Sequence, residues 1–231
     1  YARAFVRGVR AANALRYRAP PKPYRLLRVD PDRIRRVANF PISKFRMSGV
    51  VRDGEWDRTT RRFEDMDVFR AYRAHFREGV PWDETDFFDR IVDEIAAGYE
   101  RWGCTSRADF EARCRRLDDL YDAIDEHGYR TQAELADSSV DDPLGNYRHR
   151  RGHLDDEIVV HIARDGELLF SDGRNRLSIV KLLGLDEIPV RVLLRHREWQ
   201  ATRDAYVSGW VDPSSEVVEH PDLAALTPPT D

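Results

Sequence analysis

The stretch Leu168-Leu169-Phe170-Ser171-Asp172-Gly173-Arg174-Asn175-Arg176-Leu177-Ser178-Ile179-Val180-Lys181-Leu182-Leu183-Gly184 decides how this chain is read. Leu168–Ser171 has the composition of a strand, Asp172-Gly173 of a tight turn, and Leu177–Leu183 of a helix that Gly184 ends in a left-handed cap. Gly173 lets the backbone turn sharply without a Cβ clash. The first helical turn then offers unpaired N–H groups and the positive end of the helix dipole, an arrangement suited to phosphate or carboxylate. Arg174 and Arg176 add charge and bidentate donors. Two residues apart on a helix, they diverge: one is expected to face a pocket and the other to pack or pair. Asp172 has two readings. It holds a proton or a metal at the strand end, or it is an N-cap contributing about 1 kcal/mol, with Arg176 paired to it or to Asp186.

Working outward, Glu157–Ala163 alternates as a strand and Arg164–Glu167 reads as a hairpin turn, since Asp165-Gly166 favours positive backbone angles. Ile188–Leu194 is a further strand, followed by a helix from His196 to about Tyr206 and a weakly ordered tail after Pro213. Upstream, Tyr24–Val29 reads as a strand, and Asp30-Pro31 as the cap of a short helix over Asp32–Val37. Residues 39–62 are irregular, with Val50-Val51 extended and Asp53-Gly54 a hairpin turn. Three helical stripes fill 64–136: Met66, Phe69, Tyr72, Arg73 and Phe76 up to Gly79; Phe87, Phe88, Ile91, Ile95, Tyr99 and Trp102 up to Gly103; Phe110, Cys114, Leu117, Leu120, Tyr121 and Ile124 up to Gly128. These stripes are read as core. A polar loop spans 137–156. Residues 1–18 form a basic helix with Tyr1, Phe5, Val9 and Ala12 on one face. It is read as a terminal helix packed on the body or a partner, with an amphipathic membrane-surface helix as the alternative. Ala19-Pro-Pro-Lys-Pro23 is a linker.

The run over residues 168–193, with its Asp-Gly-Arg-Asn-Arg turn and its Gly184-Leu-Asp-Glu-Ile-Pro-Val190 ending, resembles the ParB/sulfiredoxin-like superfamily. Leu26-Leu-Arg-Val-Asp-Pro-Asp-Arg-Ile34 is a weaker echo of the same pattern. The resemblance covers about a fifth of the chain, and residues 64–136 have no counterpart in it. In that superfamily the matching loop binds nucleotide phosphates: CTP in ParB proteins, ATP in sulfiredoxins and in kinases acting on small hydroxyl substrates. Carried over, Gly173, Arg174, Asn175 and Arg176 would line a phosphate site, and Asp172 would match the acidic residue that orients substrate or metal. The catalytic cysteine of sulfiredoxin is absent from this loop, and no ParB helix-turn-helix is recognisable. Asn175 stands where His or Arg is frequent; a neutral amide can donate to phosphate but cannot act as an acid or base near neutral pH.

The resemblance implies a mixed α/β (α+β) fold: a small ParB/sulfiredoxin-like sheet built from 24–62 and 157–212, an inserted helical subdomain and polar loop over 63–156, an N-terminal helix and linker over 1–23, and a flexible tail over 213–231. Glu55 and Asp57, flanking Trp56, are the candidates for a general base or Mg²⁺ ligand beside Asp172, against a plain surface turn anchored by Trp56. His161 and His196 are pocket candidates, His161 being otherwise a satisfied sheet histidine. Arg195-His-Arg197 and His149-Arg-Arg-Gly-His153 are short basic clusters, read first as solvated edges. Cys104 and Cys114, the two cysteines, are read as half-buried thiols, with a zinc or redox role as the lesser alternative.

The 38 Lys and Arg residues against 42 Asp and Glu give a net charge of −4, which argues against a dedicated polyanion binder. No apolar run approaches the roughly 20 residues needed to span a bilayer. The chain starts at Tyr1 with no signal-peptide pattern, which leaves open a native start upstream and suggests a cytoplasmic protein. The expected partner is a nucleotide (ATP or another, with Mg²⁺) or a phosphorylated small molecule, for binding or for phosphotransfer. The alternatives are a nucleic-acid-associated module and a non-catalytic interaction protein.

Overall fold

The computed structural model describes residues 2–39, 47–136, 143–144, 157–212 and 214–226. The fold is mixed α/β, with eight helices and one six-stranded mixed sheet among the described residues. The chain divides into two compact units. The first comprises Tyr1–Phe63, Glu157–Asp172 and Asp186–Asp231, and the second Glu64–Asp156 and Gly173–Leu185.

The first unit holds the whole sheet. Its strands are β1 (Leu26–Val29), β2 (Arg36–Val37), β3 (Val50–Arg52), β4 (Ile158–Ile162), β5 (Leu168–Asp172) and β6 (Ile188–His196). β6 is central and buried along its full length. On one side it pairs antiparallel with β1 and, further along, parallel with β3; on the other it pairs parallel with β4. β4 and β5 form the expected hairpin, and β2 is a parallel edge on β5. Two bulges punctuate the sheet. Val159 and Val160 oppose Asp172 and Phe170, which leaves Ser171 as the extra residue of β5; Val160 and Ile162 oppose Val192 and Arg195, which leaves one extra residue in β6. Trp56, Ala163, Leu169 and Leu194 form a buried apolar cluster in this unit.

Three helices belong to this unit: α1 (Ala2–Arg16), α7 (Arg197–Val207) and α8 (Pro221–Ala224). In α1 the buried positions are Val6 and Asn13, whose Nδ2 donates to the Gly49 carbonyl at 2.7 Å, while Phe5 stays 45% exposed. The packed face is therefore rotated from the Tyr1–Phe5–Val9–Ala12 face that apolar spacing selects. A hydrogen-bonding side chain, invisible to a hydrophobic pattern, marks it.

Three further expectations fail here. Asp32–Val37 is not a helix: one 3-10 turn, Pro31–Arg33, gives way to β2. The Arg36 guanidinium pairs with Glu167, and Val37 N–H donates to the Arg61 carbonyl, so tertiary partners draw the chain out. Asp53-Gly54 is a turn but not a hairpin, because β3 pairs in parallel with β6 rather than with its own continuation. The tail after Pro213, expected to be flexible, carries a 3-10 turn at Glu216–Glu219 and then α8, with Asp222 and Leu223 buried. The buried carboxylate of Asp222 holds it in place, through partners no local pattern reveals.

The second unit consists of α2 (Asp67–Glu78), α3 (Asp86–Ala96), α4 (Arg107–His127), α5 (Gln132–Ala136) and α6 (Arg174–Leu183). Helix α6, which the sequence places in the sheet core, groups with the helical segment by packing on α2 and α4. Gly79 ends α2 in the left-handed region, and the Ser106 Oγ accepts from Asp109 N–H at the start of α4. Helix α3 stops at Ala96, short of the expected Gly103, because Gly98 turns the chain at φ +91°. Tyr99 and Trp102, expected in the core, are consequently 59% and 40% exposed. Phe76 stacks on Tyr121 at 4.1 Å between ring centroids, and Asp118 accepts from Trp82 Nε1 at 2.7 Å. Both cysteines are free and buried rather than half-buried, and burial pushes the Cys114 thiol up to about 12, which makes it a packing group and not a nucleophile.

Candidate functional site

Helix α6 opens on Gly173, whose φ of +89° places it in the left-handed region. The N-cap position thus falls to a residue with no side chain, not to Asp172, and the helix has no side-chain cap. Gly173 itself therefore supplies no side-chain acceptor to the N–H groups of the first turn. Asp172 ends β5 in the sheet unit, half-buried and opposite Val159, and Asn175 is half-buried on the first helical turn.

Arg174 and Arg176 diverge as their spacing requires. Arg176 is buried, only 6% exposed, beside an apolar cavity lined by Leu120, Ile124 and Tyr129. Arg174 is exposed and lines a cleft of about 340 Å³ with Arg90, Ile91, Glu94, Glu100, Arg101 and Trp102. All of these belong to the helical unit. In the cleft, Arg90 donates to Asp67 and Glu94 at 2.7 Å each, and Arg101 pairs with Glu94. Arg174 has no hydrogen bond or ion pair among the described residues. Three guanidinium groups and the carboxylates of Glu94 and Glu100 line the cleft, with Asp67 paired to Arg90 beside it, so Arg174 is the cation there left unengaged among the described residues. Trp102 sits at φ +50°, an uncommon conformation for a non-glycine residue; it stacks on Phe110 and keeps two-fifths of its surface open.

Arg90, Arg101 and Trp102 escape a reading based on motifs. Trp102 falls on a helical stripe by period, and only Gly98 signals that the helix has already ended.

Glu55 and Asp57 are placed elsewhere. The Arg164 backbone N–H and Nε donate to Asp57 Oδ2 at 3.0 and 2.9 Å, and its Nη2 donates to Asp57 Oδ1 at 2.8 Å and to Glu55 Oε1 at 3.2 Å. Burial opposes ionisation of Asp57, yet these bonds win and hold its carboxyl well below the ordinary range. Hydrogen bonds from Arg164, aided by Arg58, lower Glu55 as well. Arg164 lies in the turn of the β4–β5 hairpin, whereas Asp172 lies at the hairpin's open end. At about 3.3 Å per residue, the length of β5 separates those ends by roughly 13 Å. The structure therefore does not bring Glu55 and Asp57 together with Asp172, and two salt-bridged acids with depressed pKa values are poor general bases.

His161 and His196 both lie against Trp56, with ring centroids 5.9 and 5.8 Å away. His196 is fully engaged: Nε2 donates to the Gly54 carbonyl at 2.9 Å, and Nδ1 accepts from Glu198 N–H at 3.2 Å, capping α7. His161 Nε2 meets Ser171 Oγ at 3.1 Å, a pairing that the bulge creates. Burial pushes this imidazole down to about 4, and its Nδ1 has no side-chain partner among the described residues. With no acidic side chain bonded to Nδ1 among the described residues, and with that low basicity, the pair lacks the features of an activated nucleophile.

No three His, Cys, Asp or Glu side chains converge among the described residues. With Glu55 and Asp57 held by Arg164, the two carboxylates expected as Mg²⁺ ligands do not fit a protein-held cation. The basic cluster at His149–His153 lies outside the described residues. Compared with known proteins, the chain matches no family model, and no curated protein or solved structure shows significant similarity to it.

Proposed function

We propose that this protein binds a nucleotide or a phosphorylated small molecule in the cleft at the start of α6. Arg174 would meet the phosphates together with the first-turn N–H groups, and Trp102 would stack the base. The observation that carries this reading is Arg174 itself: an exposed guanidinium, free among the described residues, on a helix start whose N-cap is Gly173, beside a cleft of about 340 Å³. That volume lies within the range of roughly 300–1,000 Å³ typical of small-ligand sites. The likeness of residues 168–193 to the ParB/sulfiredoxin-like loop supports the same ligand class. The proposal stops at binding, because the carboxylates that phosphotransfer would need are neutralised by Arg164.

Thermal unfolding in the presence of ATP, ADP or CTP, with and without Mg²⁺, tests it. A ligand at 100 times its Kd stabilises the folded state by about 2.7 kcal/mol, a readily measured rise in Tm. The rise is expected for at least one nucleotide and is lost in Arg174→Ala, whose Tm without ligand is unchanged. No rise with any nucleotide, or an equal rise in Arg174→Ala, overturns the proposal.

A further inference from the structure

A second cationic cleft lies wholly in the sheet unit and shares no residue with the cleft at α6. At its floor Asp222 is shared by two buried arginines. Arg195 donates through Nε at 2.9 Å and Nη2 at 2.6 Å, Arg203 Nη1 lies 2.7 Å from Oδ2, and Trp199 Nε1 donates at 2.9 Å. Arg203 also donates to the carbonyls of Asp222 and Ala19, at 3.0 and 3.1 Å. Arg195 and Arg203 are 4% and 3% exposed, so one carboxylate serves two buried cations. Donors remain unused: among the described residues Arg195 Nη1 and Arg203 Nε have no hydrogen-bond partner.

These arginines line a narrow cleft of about 20 Å³ whose other walls include Pro20, Lys22, Arg25 and Ala225. Lys22 and Arg25 are exposed. The lining therefore carries four cationic side chains against Asp222 alone. Burial, and then the neighbouring Arg195 charge, push Arg203 down to about 10, in keeping with an excess of positive charge. A buried triad of this kind is costly unless further groups complete it.

We infer that this cleft is a separate anion site for a single small oxyanion, a phosphate or carboxylate group, with Lys22 and Arg25 at its mouth and the Arg195–Asp222–Arg203 cluster beneath. Neutral acceptors would satisfy the spare donors but not the charge. A cleft of about 20 Å³ is far below the roughly 300–1,000 Å³ of sites that enclose a whole small molecule, so the occupant is the anionic group alone, seated at the mouth, or the anionic end of a larger molecule.

Calorimetric titration at constant ionic strength separates this site from the one at α6. Inorganic phosphate is titrated into wild type, Arg174→Ala, and the double variant Lys22→Gln/Arg25→Gln, whose altered side chains are exposed. Saturable binding is expected to persist in Arg174→Ala and to weaken about tenfold in the double variant, as loss of charge-assisted bonds implies. Acetate in place of phosphate tells a carboxylate site from a tetrahedral-anion site, and either supports the inference. Equal affinity in the double variant and wild type, no saturable binding in Arg174→Ala, or chloride competing as well as phosphate overturns it. Failure here leaves the nucleotide reading of α6 standing, and the converse holds.

Discussion

Two imidazoles of the sheet unit are buried in neutral form. His161 lies under Trp56, and His220 donates from Nε2 to the Gly166 carbonyl at 2.8 Å while its Nδ1 accepts from Asp222 N–H at 3.1 Å. Burial pushes each down to about 4. An unfolded histidine titrates near 6.5, so between these values the unfolded chain binds more protons. Stability is therefore full above about 6.5 and falls as pH drops toward 4, by up to about 1.4 kcal/mol per pH unit for each histidine. Asp57 and Asp222, both lowered, stay ionised in the folded chain across that window and add to the slope only below about pH 5, where their unfolded carboxyls start to bind protons. Urea denaturation between pH 4.5 and 7 should show stability rising with pH, and His161→Asn should remove about half of the slope. An unchanged slope in that variant would mean that His161 is solvated. Sequence pattern marks His161 as lying in a strand, but its partner Ser171 depends on a bulge that no local signal announces.

The elements most readable from sequence are those with local punctuation. The β4–β5 hairpin, α2 with Gly79, and α4 with Ser106 and Gly128 all occur near their expected places. Those misread, Asp32–Val37 and the end of α3, were decided by distant partners or by a glycine outweighed by an apolar period. The hairpin turn shows how local and distant constraints combine. Gly166 has φ +91°, and a Cβ there would lie 2.6 Å from Trp199 Cζ3. Gly98 has the same angle with open space around it. Gly98→Ala is expected to cost about 1 kcal/mol from conformation alone, and Gly166→Ala about 2–4 kcal/mol because overpacking adds to it. Paired thermal melts check the difference; equal costs would show that Trp199 can move aside without penalty.

At the scale of the whole molecule, the chain passes between its two units at Phe63–Glu64, Asp156–Glu157, Asp172–Gly173 and Leu185–Asp186. A contiguous insertion over 63–156 is the natural reading of the helical periodicity, yet α6 completes that unit from a later part of the chain. Asp172 accordingly belongs to one unit, and Arg174 and Arg176 belong to the other. A fragment of residues 64–156 lacks the helix that packs on α2 and α4, so it should show reduced helicity by circular dichroism and bind a hydrophobic dye. A native-like, dye-silent fragment would show that α6 is dispensable.

The order of the strands also bears on how the protein is born. β6 pairs with β1, β3 and β4, and the first of these contacts joins Leu26 to Arg191. During synthesis at about 5–20 residues per second, β1 and β3 leave the ribosome on the order of ten seconds before β6 exists. For that interval they are strands without a neighbour, and any holdase or stray edge that meets them competes with a segment not yet made.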